Sequence, residues 1–130
     1  MPITYREFIT REMLHAERDT IFVFGDNLAE AGRGGQAKEM GGEPNSLGIP
    51  TKRFPTMLSA AFFTDDDFDE VKAAIDRAIN LLTVQLKVGG NVVFPTDGIG
   101  TGRAQLARRA PRIRAYLDKQ LSALEAYDKE

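Results

Sequence analysis

The chain contains no cysteine and no tryptophan, and its one histidine is His15. Without thiols there can be no disulfide, no cysteine nucleophile and none of the usual cysteine-built zinc sites. A single imidazole, in a predicted helix among charged neighbours, reads as a surface residue. No apolar run approaches the roughly 18 residues of a membrane span. The opening Met1 to Glu7 lacks the basic and apolar regions of a signal peptide. The expectation is a cytoplasmic protein of a bacterium or a phage-infected host, with no membrane partner. An excess of one charge is missing too: 17 Lys plus Arg stand against 19 Asp plus Glu, a net charge of −2. That balance gives no general affinity for nucleic acid or acidic membranes.

The 130 residues are 42% hydrophobic and 28% charged, a globular balance. A chain of this size buries about 65–70% of its unfolded surface, which suits one domain over residues 1–130.

Strand and helix signals alternate along it. Thr4 with Glu7 three residues on is a capping-box pattern that predicts a short helix from Tyr5, with a second turn after Thr10. Ile21-Phe22-Val23-Phe24 reads as a strand buried on both faces and ending at Gly25. Gln36 to Met40 reads as a helical turn. Leu47 to Pro50 reads as a short strand, and Phe54 to Phe63 fits no element. Phe68, Val71, Ile75, Ala78, Leu82 and Leu86 recur at three and four residues, the stripe of a helix of about five turns. Its acidic start, Asp65-Asp66-Asp67, suits the positive helix end, and Gly89-Gly90 ends it. Asn91 to Pro95 is the next strand. Ile113, Leu117, Leu121 and Leu124 mark a last helix with Pro111 in its first turn, which leaves Arg103 to Ala110 as a connector or short turn. Strand, helix, strand, helix order predicts an α/β fold, three-layer α/β/α, with a mixed, largely parallel central sheet.

Two glycine-rich loops follow two of these strands. One runs from Gly25, Asp26 and Asn27 through Gly34, Gly35 and Gln36; the other is Thr96-Asp97-Gly98-Ile99-Gly100-Thr101-Gly102-Arg103. In a parallel sheet both lie on the carboxyl edge, where open α/β folds bind ligands. Loops lacking Cβ atoms let main-chain N–H groups close on an anion, and diphosphate is the natural guest. Arg103, where a dinucleotide fingerprint needs its third glycine, disfavours a Rossmann site. No Gly-x-x-x-x-Gly-Lys-Ser/Thr is present, which disfavours P-loop phosphoryl transfer. Asp26 and Asn27 can hydrogen-bond ribose hydroxyls or orient a water, and can equally cap the next turn. Arg103, Arg108, Arg109, Arg112 and Arg114 form a run without acids: most read as a solvated helix face, with Arg103 the candidate for touching phosphate. Thr51-Lys52-Arg53 is a weaker candidate of that kind.

The first loop with Gly34-Gly35, the Gly48-Ile49-Pro50 segment, and Val93-Phe94-Pro95 leading into Gly98-Ile99-Gly100-Thr101-Gly102 resemble the macrodomain family, roughly from Ile9 to Leu121. Phe24 to Leu28, Gly34 to Ala37 and Gly48 to Lys52 are similar to an uncharacterised group of small macrodomain-like proteins of phages and bacteria. The resemblance implies an ADP-ribose-like nucleotide ligand and no cofactor. It places Asn27 by the distal ribose, Gly34 and Gly35 in the first ligand loop, and Ile99, Gly100, Thr101 and Gly102 around the diphosphate. Departures occur where the family usually carries an adenine-binding aspartate, here Phe8-Ile9-Thr10, and a ribose-packing aromatic residue, here Arg103-Ala104. Two readings follow: hydrolysis of an ADP-ribosyl derivative, with Asn27 or Asp26 orienting water, or binding without turnover. A protein-interaction surface on a degenerate pocket is the third.

Overall fold

The computed structural model describes residues 2–29, 37–99 and 105–129. Four strands, β1 (Ile3–Arg6), β2 (Thr20–Asn27), β3 (Ser46–Lys52) and β4 (Asn91–Pro95), form one sheet in the order β1-β4-β2-β3. All three pairings are parallel; among the described residues no antiparallel strand makes the sheet mixed. The helices are α1 (Arg11–Ala16), α2 (Ala37–Met40), α3 (Phe68–Lys87), α4 (Leu106–Arg109) and α5 (Pro111–Asp128).

Alternation along the strands sorts the core into two layers. Phe22, Phe24 and Val93 face one way, against Leu14 of α1 and Met40 of α2. Val23, Ile49, Val92 and Phe94 face the other, against Val71, Ile75 and Leu82 of α3 and Ile113 and Leu117 of α5. The protein is thus a three-layer α/β/α domain. Right-handed crossovers explain the division. The chain crosses the sheet in one direction through α1 and α2, then returns from β3 to β4 through α3, which places α3 on the opposite face.

The helix expected from Tyr5 is instead β1. Tertiary pairing overrides the local capping pattern there: Ile3 to Arg6 run alongside Val92 to Pro95, the Ile3 N–H donates to Asp128 Oδ2 at 3.2 Å, and Tyr5 stacks on Phe94. The second expected turn is α1, whose N-cap Thr10 accepts a hydrogen bond from the Met13 N–H. β2 continues past Gly25 to Asn27 because β3 pairs with it to that point. Within the unplaced 54–63 stretch, Ser59–Ala61 form a 3-10 turn, and Phe62 and Phe63 are buried behind it.

The acidic run divides its work. Thr64 and Asp67 make a capping box ahead of α3, whereas Asp65 accepts from the Arg112 and Ile113 N–H groups at 3.0 and 3.3 Å and so caps α5. A foreign carboxylate is needed there, since the α5 N-cap position is Ala110 and alanine offers no side-chain acceptor.

Candidate functional site

The carboxyl ends of β2 and β4 diverge. Their ladder consists of Thr20–Asn91, Ile21–Val92 and Phe22–Val93, while β2 goes on for five more residues. Donor parity on β4 gives the reason. Val92 and Thr96 donate to Pro2 and Arg6 on the β1 side, so Val93 and Pro95 point towards β2. Proline has no N–H, and the rung is lost where Pro95 stands. Beyond this point the two chains leave for opposite faces, β2 to α2 and β4 to α4 and α5. Divergence of this kind opens the crevice in which parallel α/β sheets bind ligands.

Asn27 closes β2 and is buried. Its register partner is Lys52, across a bulge in β3 that Thr51 bridges by donating its hydroxyl to the Asp26 carbonyl at 3.2 Å. The Leu28 and Ala29 N–H groups continue the pairing onto the Lys52 and Arg53 carbonyls. Asp26 is half-buried, and its Oδ1 accepts from the Asn27 N–H at 2.8 Å. Room for the carboxylate comes from Gly48: a Cβ there would lie 2.6 Å from Asp26 Oδ2 and 2.7 Å from Asp26 Cβ.

On the other side of the crevice, Thr96 and Asp97 are exposed, and Gly98 adopts a left-handed φ of 87° while donating to the Pro95 carbonyl. Ile99 is buried, and its carbonyl accepts from Arg114 Nη1 at 2.5 Å. Arg114 is held in turn by Asp118 at 3.1 Å. Of the predicted residues, the described chain brings Gly25, Asp26, Asn27, Thr96, Asp97, Gly98 and Ile99 to this edge. Gly34, Gly35, Gln36, Gly100, Thr101, Gly102 and Arg103 lie outside the described residues.

The arginine run is not simply a solvated face. Arg114 braces the second loop at Ile99, Arg109 lies 3.9 Å from the Phe62 ring centre, and Arg112 lies 4.4 Å from that of Phe68. A local pattern could not show this, because the partners are 15 to about 47 positions away. Arg53 is engaged by Glu70 and Asp67, both at 3.0 Å, and the Glu70 hydrogen bond leads the causes that hold its guanidinium above its ordinary range. His15 lies at the opposite edge of the sheet, where its Nε2 meets Glu43 Oε1 at 2.7 Å alongside Arg11. Burial opposes ionisation of Glu43, but the Arg11 and His15 hydrogen bonds outweigh it and hold the carboxyl below its ordinary range. Among the described residues no group of three or more His, Cys, Asp or Glu could hold a metal ion, and no helix is long and apolar enough to cross a membrane.

Fold and crevice together define an α/β/α protein with a parallel sheet and a candidate ligand site at its carboxyl edge. The chain belongs to the family of unknown function DUF7831, whose match spans residues 4–120. No curated protein and no solved structure matches it.

Proposed function

We propose that the protein binds ADP-ribose or a related nucleotide diphosphate derivative at the carboxyl edge of the sheet, between the chains leaving β2 and β4. The observation that carries the reading is the divergence of these strands beyond the Phe22–Val93 rung, at the point where each runs into a glycine-rich segment. The choice of ADP-ribose within that class rests on the macrodomain resemblance of those segments.

Binding is favoured over turnover by the state of Asp26. Its carboxylate is turned onto the neighbouring Asn27 N–H and seated over Gly48, whereas a general base must reach the proton that it removes. A thermal-shift titration tests the proposal. ADP-ribose at about 100 times its dissociation constant adds about 2.7 kcal/mol of stability, a rise of several degrees in Tm. Gly100→Glu, which puts a carboxylate where an anion would sit, abolishes the shift without unfolding the protein. Equal shifts in variant and wild type would refute the phosphate-loop assignment. Release of product from ADP-ribosylated protein at high protein concentration would instead show a hydrolase.

A further inference from the structure

The last two residues of α4, Arg108 and Arg109, gather positive charge with no carboxylate among the described residues to balance it. Gln105, the residue ahead of α4, has a left-handed φ of 50°, the one non-glycine positive φ among the described residues. This is a strained backbone state for glutamine. It places the neutral Gln105 Oε1 where it accepts from both Arg108 Nη2, at 2.5 Å, and Arg109 Nε, at 2.9 Å. Two guanidiniums therefore converge on one amide oxygen. Neither has a carboxylate within ion-pairing distance among the described residues, although acids outnumber bases in the chain and Arg53 and Arg114 both pair with acids.

Arg109 is fixed by stacking on Phe62, and Lys52 Nζ lies 4.9 Å from the centre of that ring. Lys52 is the register partner of Asn27, so the ring that seats Arg109 also takes the side chain of the β3 residue that lies beside Asn27 at the carboxyl edge. A neutral acceptor orients the guanidiniums but leaves their charge uncompensated. That arrangement favours an incoming anion, and planar forks of this kind match phosphate oxygens in bidentate fashion.

We infer that Arg108 and Arg109 form a phosphate-binding subsite, which supplies to the ligand of the proposed carboxyl-edge site the charge that glycine loops lack. The subsite's place in nucleotide binding rests on that proposed function; its affinity for a phosphate anion does not. The key variant is Gln105→Glu, which puts a carboxylate where the shared acceptor stands and neutralises the pair from within. Calorimetric titrations with inorganic pyrophosphate and with ADP-ribose, at two salt concentrations, read the result. Arg108→Gln, at an exposed position, and Gln105→Glu each weaken pyrophosphate binding about tenfold or more and flatten its salt dependence, while Tm without ligand is held or, for Gln105→Glu, raised. If ADP-ribose binds and both variants bind it and pyrophosphate as wild type does, the subsite is wrong and the proposed function stands. If pyrophosphate binds with the expected arginine dependence but ADP-ribose does not displace it, the subsite stands and the nucleotide reading fails. No binding of pyrophosphate to the wild type at millimolar concentration overturns the inference.

Discussion

Asp26 and Asn27 are adjacent and nearly isosteric, yet the backbone gives them different surroundings. Asp26 shares the strand face of Phe22 and Phe24, towards α1 and α2, and Asn27 shares that of Val23, towards α3 and α5. The carboxylate settles over Gly48 and onto a main-chain N–H, while the amide is buried beside the register position of Lys52. Asn27→Ala is therefore expected to weaken ADP-ribose binding by about 0.5–1.5 kcal/mol, the usual net worth of one hydrogen bond, measured by calorimetry. An unchanged affinity would remove Asn27 from the site. The sequence marks both residues as candidates because acceptor-rich side chains end a buried strand. It does not separate them, since the separation depends on the missing Cβ of residue 48, on the neighbouring strand.

At the scale of elements, the long amphipathic α3 and the strands β2 and β4 are legible because their apolar periodicity is strong and is satisfied by the layers they build. β1 is not. Thr4 within it and Glu7 just after it make a helix-capping pattern, and only the β4 edge, about 90 positions away, turns Ile3 to Arg6 into a strand. The acidic run before α3 shows the same limit, since Asp65 caps a helix that begins at Pro111. Asp65→Ala is expected to cost about 1 kcal/mol, seen as a lower urea midpoint with an unchanged slope. A midpoint equal to wild type's would mean that water caps α5 as well as the carboxylate does. The arginine run reads locally as mostly a solvated face, whereas the contact of Arg114 with the Ile99 carbonyl shows how α5 sets the base of the second loop.

For the whole molecule, the two chain ends meet on the β1 side of the sheet. The Ile3 N–H donates to Asp128 Oδ2, and the Tyr5 hydroxyl donates to Glu125 at 2.5 Å. Burial, then this hydrogen bond and the nearby charges of Glu125 and Asp128, pushes the Tyr5 hydroxyl from 10.0 up to about 12. A raised value in the folded state means that the protonated phenol is favoured by folding. The stability it gives is complete below pH 10 and is lost as pH rises from about 10 to 12. Wild type is expected to lose more stability over that interval than Tyr5→Phe, measured by urea denaturation at stepped pH. Parallel alkaline limbs would show that the tether contributes nothing.

The sequence by itself determined which segments are strands and helices wherever burial imposes a clean period, and from their alternation it determined the α/β class and predicted a largely, though not wholly, parallel sheet. It also determined that β4 ends at Pro95. Only the tertiary structure decided the strand order β1-β4-β2-β3, the conversion of the first segment into a strand, and the roles of Asp65, Arg109 and Arg114. The physical reason is that periodicity and proline act within a segment. Strand neighbours, caps and cation–aromatic contacts join residues that approach one another only when the layers pack.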